Sequence, residues 1–410
     1  MTPAAEAAAA AARDGYGRLV ALLATADGDL AAAEDALGDA LERALRSWPD
    51  RGVPDRPEAW LLTVARNRQR DRWKSAEVQR TTALDPDRDG ARAGIIDEVD
   101  PDAIEDRRLE LMAVCAHPMI DPGVRTPLML NVVLGFTAAE VAAAFTVPKA
   151  TMATRLVRAK RRIKDTGIAF ELPDRGQLPD RMEAILEAVY GAYVIEWTAA
   201  EPQPRRLRPE AERLAEVLAE VAPGDAEVRG LAALVLLSAA RVPARTDAAG
   251  NFVPLAEQDP ARWDAHLIAR AHEHLRAAHA QRSLGRFQVE AAIQATHCAR
   301  RPGAVSDWTT LKQLHTTLHR LAPTHGSATA LAAVLTETDG PAQALTFLEE
   351  RVPDSVPFQP AWATRAHLLS LLGRRAAAAA AYDRAIALTT RATERDYLIR
   401  RRHAVDPEQH

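Results

Sequence analysis

Hydrophobic and polar positions along this chain recur with helical spacing almost throughout. Placed at about 100° per residue, Met152, Leu156, Ala159 and Ile163 fall on one narrow stripe. Thr151, Thr154, Arg155, Arg158, Arg161 and Arg162 fall opposite. Just upstream, Thr137 and Glu140 have capping-box spacing and open a short helix that Val147-Pro148 stops. Two short helices with a turn between them, the second basic on its open side, predict a helix-turn-helix over residues 137–164. Earlier in the chain, a helix over 29–46 sets Leu30, Ala33, Leu37, Leu41 and Ala44 against an acidic face of Asp35, Asp39 and Glu42. Pro49, Gly52, Pro54 and Pro57 predict a loop. A helix over 58–74 follows, with Trp60, Leu61, Val64 and Ala65 as core candidates. One side of that helix carries Thr63, Arg66, Asn67, Arg70 and Lys74, while Arg68 and Arg72 are placed to pair with local acids.

Four segments emerge. Residues 13–80 are helical. Residues 81–104 hold Asp85, Asp87, Asp89, Asp97, Glu98, Asp100 and Asp102 against only Arg88 and Arg92, the composition of a flexible acidic linker. Residues 105–168 contain the helix-turn-helix. Pro173 and Pro179 mark a break, and residues 178–408 read as a long helical extension interrupted by a Pro-, Asp- and Gly-rich loop over 241–260. Within the extension, Trp362, Ala366, Gly373, Ala378, Tyr382 and Ala385 have the bulky, small, turn, small, aromatic, small order of a tetratricopeptide unit. Ala332, Asp339-Gly340, Ala344 and Leu348 repeat its spacing, and residues 286–322 suggest a less regular pair.

Composition narrows the class. Apolar residues make up 47% of the chain, enough for sizeable cores, but aromatics only 5%. Alanine, the strongest helix former, leads the apolar set. Strand-like alternation is nearly absent, so the expectation is all-α: two small helical domains, an acidic linker between them, and a helical-repeat domain. A length of 410 residues fits two or three domains. The net charge of −4 does not itself point to nucleic acid, so the local patches decide. Two cysteines, Cys115 and Cys298, give no disulfide framework or zinc signature and suit a reducing, cytoplasmic setting. The Ala-rich start lacks a basic segment and is broken by Glu6, unlike a signal peptide. The most apolar run, Leu231–Ala240, is too short for a bilayer, which needs about 20 residues, so no membrane is expected.

Catalytic readings fare poorly. His315 and His319 stand one turn apart without the glutamate of a metalloprotease helix or a third ligand. His272, His274 and His279 are similar in kind. Cys115 near His117 has no orienting acid and is followed by Pro118. No phosphate loop or dinucleotide-binding glycine pattern occurs. No enzyme activity, metal or cofactor is expected.

The basic faces do suggest chemistry. Arginine pairs bidentately with guanine edges, threonine contacts phosphate or a thymine methyl, and the first turns of a recognition helix lie nearest the bases. Thr151, Thr154 and Arg155 are therefore candidates for base contacts, and Arg158, Arg161 and Arg162 for phosphate. The Arg66–Lys74 stretch, with an asparagine and a nearby tryptophan, suits partly unpaired DNA.

Taken in order, Ala33-Glu34-Asp35-Ala36-Leu37, Ala59-Trp60-Leu61-Leu62-Thr63-Val64-Ala65-Arg66-Asn67 and the run from Gly135 through Lys164 resemble regions two and four of extracytoplasmic-function RNA polymerase sigma factors. The resemblance implies that Glu34, Asp35 and Asp39 face the polymerase core. It implies that Arg66, Asn67 and Arg70 serve the minus-ten element. Thr151, Thr154, Arg155 and Arg158 would serve the minus-thirty-five element. Cys115-Ala116-His117-Pro118, Arg241-Val242-Pro243-Ala244-Arg245, Gln258-Asp259, Arg262-Trp263-Asp264 and Asp339-Gly340-Pro341-Ala342 extend the likeness to a sub-group with a tetratricopeptide-like extension. Gly38 stands where the class usually has Gln, Leu41 where it prefers Phe, and residues 190–199 depart from the sub-group's usual Asn-Glu-Gly-Tyr stretch. The expected partners are polymerase core, promoter DNA, and a protein or small-molecule regulator of the extension. The alternative is a tetratricopeptide interaction protein whose first half is degenerate or a plain helix-turn-helix repressor.

Overall fold

The computed structural model describes residues 2–79, 107–145, 147–171, 173, 177–198, 207–300 and 307–405. Every regular element among them is helical, and the only β pairing is an isolated bridge between Thr246 and Phe252. The all-α expectation holds. The acidic linker at 81–104 lies outside the described residues, as does the side chain of Lys74. The chain forms two compact units, one reaching Ile195 and the other taking up the chain from Arg208.

The first unit begins with α1 (Pro3–Asp27), α2 (Leu30–Arg51) and α3 (Pro57–Gln79), packed on one another. Thr2 caps α1, and Gly28 ends it at φ +69°, a left-handed turn that favours glycine. Asp29 caps α2 by accepting the Ala32 N–H at 3.1 Å. The buried line of α2 is Leu30, Ala33, Ala36, Leu37, Ala40, Ala44 and Trp48. It runs through Ala36 and Ala40 where the periodicity favoured Leu41, because α1 and α3 approach closely enough to cover small side chains. The helix also continues through Pro49, where a loop was expected. In the last turn the missing N–H costs a single bond, and Gly52 closes the helix by donating to the Trp48 carbonyl at 3.0 Å.

The same unit continues with α4 (Arg108–Cys115), α5 (Pro122–Val132), α6 (Ala138–Ala144), α7 (Lys149–Thr166) and α8 (Pro179–Thr198). Counting the extension from residue 178 would put α8 in the second unit, yet up to Ile195 it clusters with the first. Its Arg181, 6% exposed, donates to the Ala113 carbonyl at 2.9 Å, which ties α8 to the end of α4.

The second unit comprises α9 (Leu207–Val221), α10 (Ala226–Ala240), α11 (Ala265–Ala280), α12 (Arg286–Cys298), α13 (Trp308–Leu321), α14 (His325–Thr338), α15 (Pro341–Arg351), α16 (Gln359–Leu371), α17 (Arg375–Leu388) and α18 (Ala392–Val405). Gly340 and Gly373 turn α14 into α15 and α16 into α17 with φ of +90° and +72°. Ala332, Ala344, Leu348, Ala366, Ala378, Tyr382 and Ala385, all singled out by spacing, belong to one buried cluster, with Trp362 packed on its edge. Val289, Ile293, Leu311 and Leu318 join α12 to α13 in a second cluster. Between α10 and α11 the chain runs through three single turns of 3-10 helix. Arg262 holds this stretch by donating to the Thr246 carbonyl at 2.9 Å. Arg300 donates to those of Leu255, Ala256 and Gln258 at 3.2, 3.0 and 2.8 Å and lies over the Trp263 ring. Phe252 in turn meets Tyr397 of α18 edge to face.

Candidate nucleic-acid interface

The α6–α7 pair is assembled by its own caps. The Thr137 hydroxyl accepts the Glu140 N–H at 3.2 Å, and the Glu140 carboxylate accepts the Thr137 N–H at 2.7 Å. Together these satisfy two of the donors that a helix start leaves unpaired. Pro148 precedes α7, and Gly167 ends it at φ +63°. Met152, Leu156, Ala159 and Ile163 are buried, and Thr151, Thr154, Arg155, Arg158, Arg161 and Arg162 are exposed. Thr154 spends its hydroxyl proton on the Ala150 carbonyl, which leaves its methyl and lone pairs outward. Arg161 stands 3.5 Å from Asp165 in a fully solvated pair, an arrangement worth little and readily exchanged for phosphate. Arg155, Arg158 and Arg162 line a recess with Met119, Ile120, Asp121, Gly123 and Val124 at the start of α5. The three guanidiniums thus share a recess with the start of α5, where the Asp121 carboxylate accepts the Gly123 N–H at 2.8 Å.

On α3, Thr63 and Asn67 are exposed, while Arg66 and Arg70 are half-buried. Burial holds the Arg66 guanidinium below its ordinary value. Trp60 is half-buried and meets the buried Trp48 edge to face, with ring centres 5.4 Å apart. Arg68 pairs with Asp39 at 2.6 Å and Arg72 with Asp35 at 3.7 Å. These two arginines therefore line the acidic groove of Glu34, Asp35, Gly38 and Asp39 instead of joining the Arg66 face. Gln69 was not singled out by its pattern. It is 2% exposed, and its amide donates to the Leu23 carbonyl, fastening α3 to α1.

The three acids of α2 do not share one environment. Asp35 and Asp39 are exposed, but Glu34 turns inward. Its carboxylate receives Lys160 of α7 at 2.6 and 2.8 Å and the Tyr16 hydroxyl at 3.0 Å. Burial and the adjacent Glu34 charge push the Tyr16 phenol far above its usual range. Cys115 lies wholly buried nearby, and burial raises its thiol against the opposing pull of Lys160, so it is no nucleophile at neutral pH. Lys164 of α7 pairs with Asp29 at 2.7 Å. No periodicity in the sequence could have joined Glu34 to a lysine 126 residues away.

His315 is buried and His319 contacts the Ser327 hydroxyl at 2.9 Å. Among the described residues no group of three His, Cys, Asp or Glu could hold a metal ion, and no helix is long and apolar enough to cross a membrane.

Residues 13–78, which span α1 to α3, match the family described as sigma-70 region 2. An uncharacterized protein of Rhizobium meliloti (strain 1021) is 34% identical over 377 residues, covering 89% of this chain and 88% of that one. The chain belongs to one family with that protein and carries a sigma-70 region 2 domain at residues 13–78. Its region 2 implies binding of RNA polymerase core and of promoter DNA, and a sigma-factor-like role in transcription initiation. Sigma-70 region 2 is not an enzyme family. Residues 181–279 of this chain match a family of unknown function (DUF6596), which begins inside α8 and runs to the end of α11. No solved structure matches the chain significantly.

Proposed function

We propose that this protein is a promoter-specific sigma factor of the extracytoplasmic-function class that acts in the cytoplasm and holds its promoter at two points. The supporting observation is the division of α7 into four buried apolar residues and six exposed threonines and arginines, on a helix whose predecessor carries a complete capping box. In this reading Thr151, Thr154 and Arg155 meet base edges of the minus-thirty-five element, and Arg158, Arg161 and Arg162 meet its phosphates. Arg66, Asn67, Arg70 and Lys74 serve the minus-ten element, while Asp35, Asp39 and Glu34 serve the polymerase. The tetratricopeptide-like second unit receives a protein or small-molecule regulator on its helical surface. Repeats of this kind bury a shared core and leave a broad face open, which is how such surfaces recruit partners.

Run-off transcription with purified core polymerase on a library of genomic fragments tests the reading. Discrete transcripts that depend on this protein support it. Specific DNA binding with no transcript would leave a helix-turn-helix repressor instead. Removing residues 208–410 without changing transcript yield or its regulation would refute the role given to the second unit.

A further inference from the structure

We propose that the recess between α7 and the start of α5 binds a small organic anion, one with an apolar body and a single acidic head, and that its occupation excludes DNA from the same arginines. The recess measures about 540 Å³. Small-molecule sites run from roughly 300 to 1,000 Å³ and set a few convergent polar groups against an apolar lining. This lining is divided in that way. Met119, Ile120, Val124 and Ala159 form an apolar side, and Arg155, Arg158 and Arg162 form a basic one.

The apolar side rests on a braced turn. The chain leaves α4 through Cys115-Ala116-His117-Pro118, and this run presents Met119. The Met119 N–H donates to the His117 Nδ1 at 3.1 Å, and the Ile120 N–H to the His117 carbonyl at 2.9 Å. Burial, then the Arg181 and Arg125 charges, hold this imidazole below its ordinary value, so the accepting lone pair is kept at neutral pH. Arg125 braces the turn from α5, donating to the Ile120 and Pro118 carbonyls at 3.0 and 3.3 Å. Ile120, Val124 and Ala159 are buried, but Met119 stays 49% exposed, an apolar side chain held in water beside three cations. Its unbranched thioether can mould itself to a bound apolar group.

The basic side has charge to spare. Arg155 and Arg162 flank the buried stripe of α7 and Arg158 stands next to them, whereas Thr154 and Arg161 turn further away and do not line the recess. Arg161 has Asp165, but among the described residues none of the three recess arginines has an acid for a partner. Asp121, the one acid in the lining, already accepts the Gly123 N–H. Three guanidiniums against one carboxylate leave the recess positive, and a carboxylate or phosphate head can take two parallel N–H bonds from a single guanidinium. A nucleic-acid backbone answers these arginines and offers little to Met119. An anion with an apolar body answers both sides. The site stands without the promoter reading, while the exclusion of DNA rests on it.

Titration of the full chain with the dye anilinonaphthalene sulfonate, whose fluorescence rises in an apolar site, tests the proposal. Naphthyl phosphate and naphthoate should displace the dye, and the tighter of the two identifies the head. Inorganic phosphate and naphthalene methanol, each half of such a ligand, should displace it at least about tenfold less well. Met119→Ser, at an exposed position outside the residues assigned to DNA, should weaken the tighter naphthyl compound about tenfold and leave affinity for a DNA duplex unchanged. A duplex that binds the protein should release the dye. Equal displacement by inorganic phosphate, unchanged binding by Met119→Ser, or dye that stays in place beside a bound duplex would each overturn the proposal. Failure of every duplex to bind would count against the promoter reading alone, and displacement of the dye would still decide the site.

Discussion

Replacing Gly17 by alanine separates the close approach of α1 and α5 from every other contact of the N-terminal unit. In an open helix this change adds about 1 kcal/mol of stability, because glycine loses more backbone freedom on folding. Here the added Cβ falls on the Val133 carbonyl oxygen, whereas real Cβ contacts are essentially never under 3.0 Å. The obstacle is backbone at the end of α5 and cannot rotate away, so the helices must part by about an ångström or more. Overpacking of that kind costs roughly 1–3 kcal/mol, and loosening the adjacent Lys160–Glu34 pair adds to it. The net expectation is a loss of about 2 kcal/mol. For a unit of this size that corresponds to a fall in Tm of roughly 4–8 °C. Thermal unfolding followed by circular dichroism measures it, with urea titration as a check that the slope of the transition is unchanged. A rise of a few degrees, the sign expected for a glycine in open space, would refute the claimed close approach of the two helices.

Arg158→Ala and Arg162→Ala should each lower the slope of log affinity against log salt by about 0.9 for promoter DNA, with little change in sequence preference. Arg155→Ala should instead relax discrimination at one or two base pairs by about 1–3 kcal/mol; fluorescence anisotropy across a salt series and a panel of point-mutant duplexes distinguishes the two behaviours. Gly38 has no atom within 4 Å of an added Cβ, so Gly38→Ala should stabilise α2 by up to about 1 kcal/mol, seen as a higher urea midpoint. His297 and His315 are held down to about 4, His297 by burial and then by Arg241, His315 and Arg300, and His315 by burial. Both are neutral in the fold but take up protons near pH 6.5 when unfolded, so the second unit should lose stability progressively as pH falls from about 6.5 to about 4. Denaturant midpoints measured across that window check the slope, and His315→Leu should flatten part of it.

The basic helix α7 was legible because its signal is local. Met152, Leu156, Ala159 and Ile163 recur at helical spacing, Thr137 and Glu140 fix the start of the preceding helix, and all of these lie within 27 positions of one another. The buried positions from Ala332 to Ala385 were legible for the same reason, since they lie in short helical hairpins with a glycine at each turn. What the pattern could not carry was pairing at a distance. Glu34 reads as one more acid on a solvated face, and only the fold shows that Lys160 and Tyr16 take it inward. Gln69 reads as a polar surface residue, yet its partner is a carbonyl on α1. Leu41 and the pair Ala36 and Ala40 show the limit from the other side. Periodicity ranks positions by hydrophobicity, whereas the spacing between helices decides which of them are covered. Among the contacts of α8 with the N-terminal unit is a buried guanidinium, Arg181, which composition would assign to the surface.

The stretch between α10 and α11 has a consequence for how this molecule can be cut and how it can diverge. It lacks α-helix, and an unprotected segment of that sort is where proteases enter a domain. Here Arg262, within the stretch, and Arg300, beyond α12, clasp its carbonyls, performing with side chains what a neighbouring strand would do with backbone. A protease must pull a substrate out straight before cleaving it, and these forks resist straightening, so the segment should outlast much better-ordered surface loops in a digestion. The same arrangement sets its tolerance to drift. A lysine at 262 or 300 would keep the charge and lose the fork, whereas exposed side chains of the stretch such as Ala249 can change so long as the carbonyls keep their places.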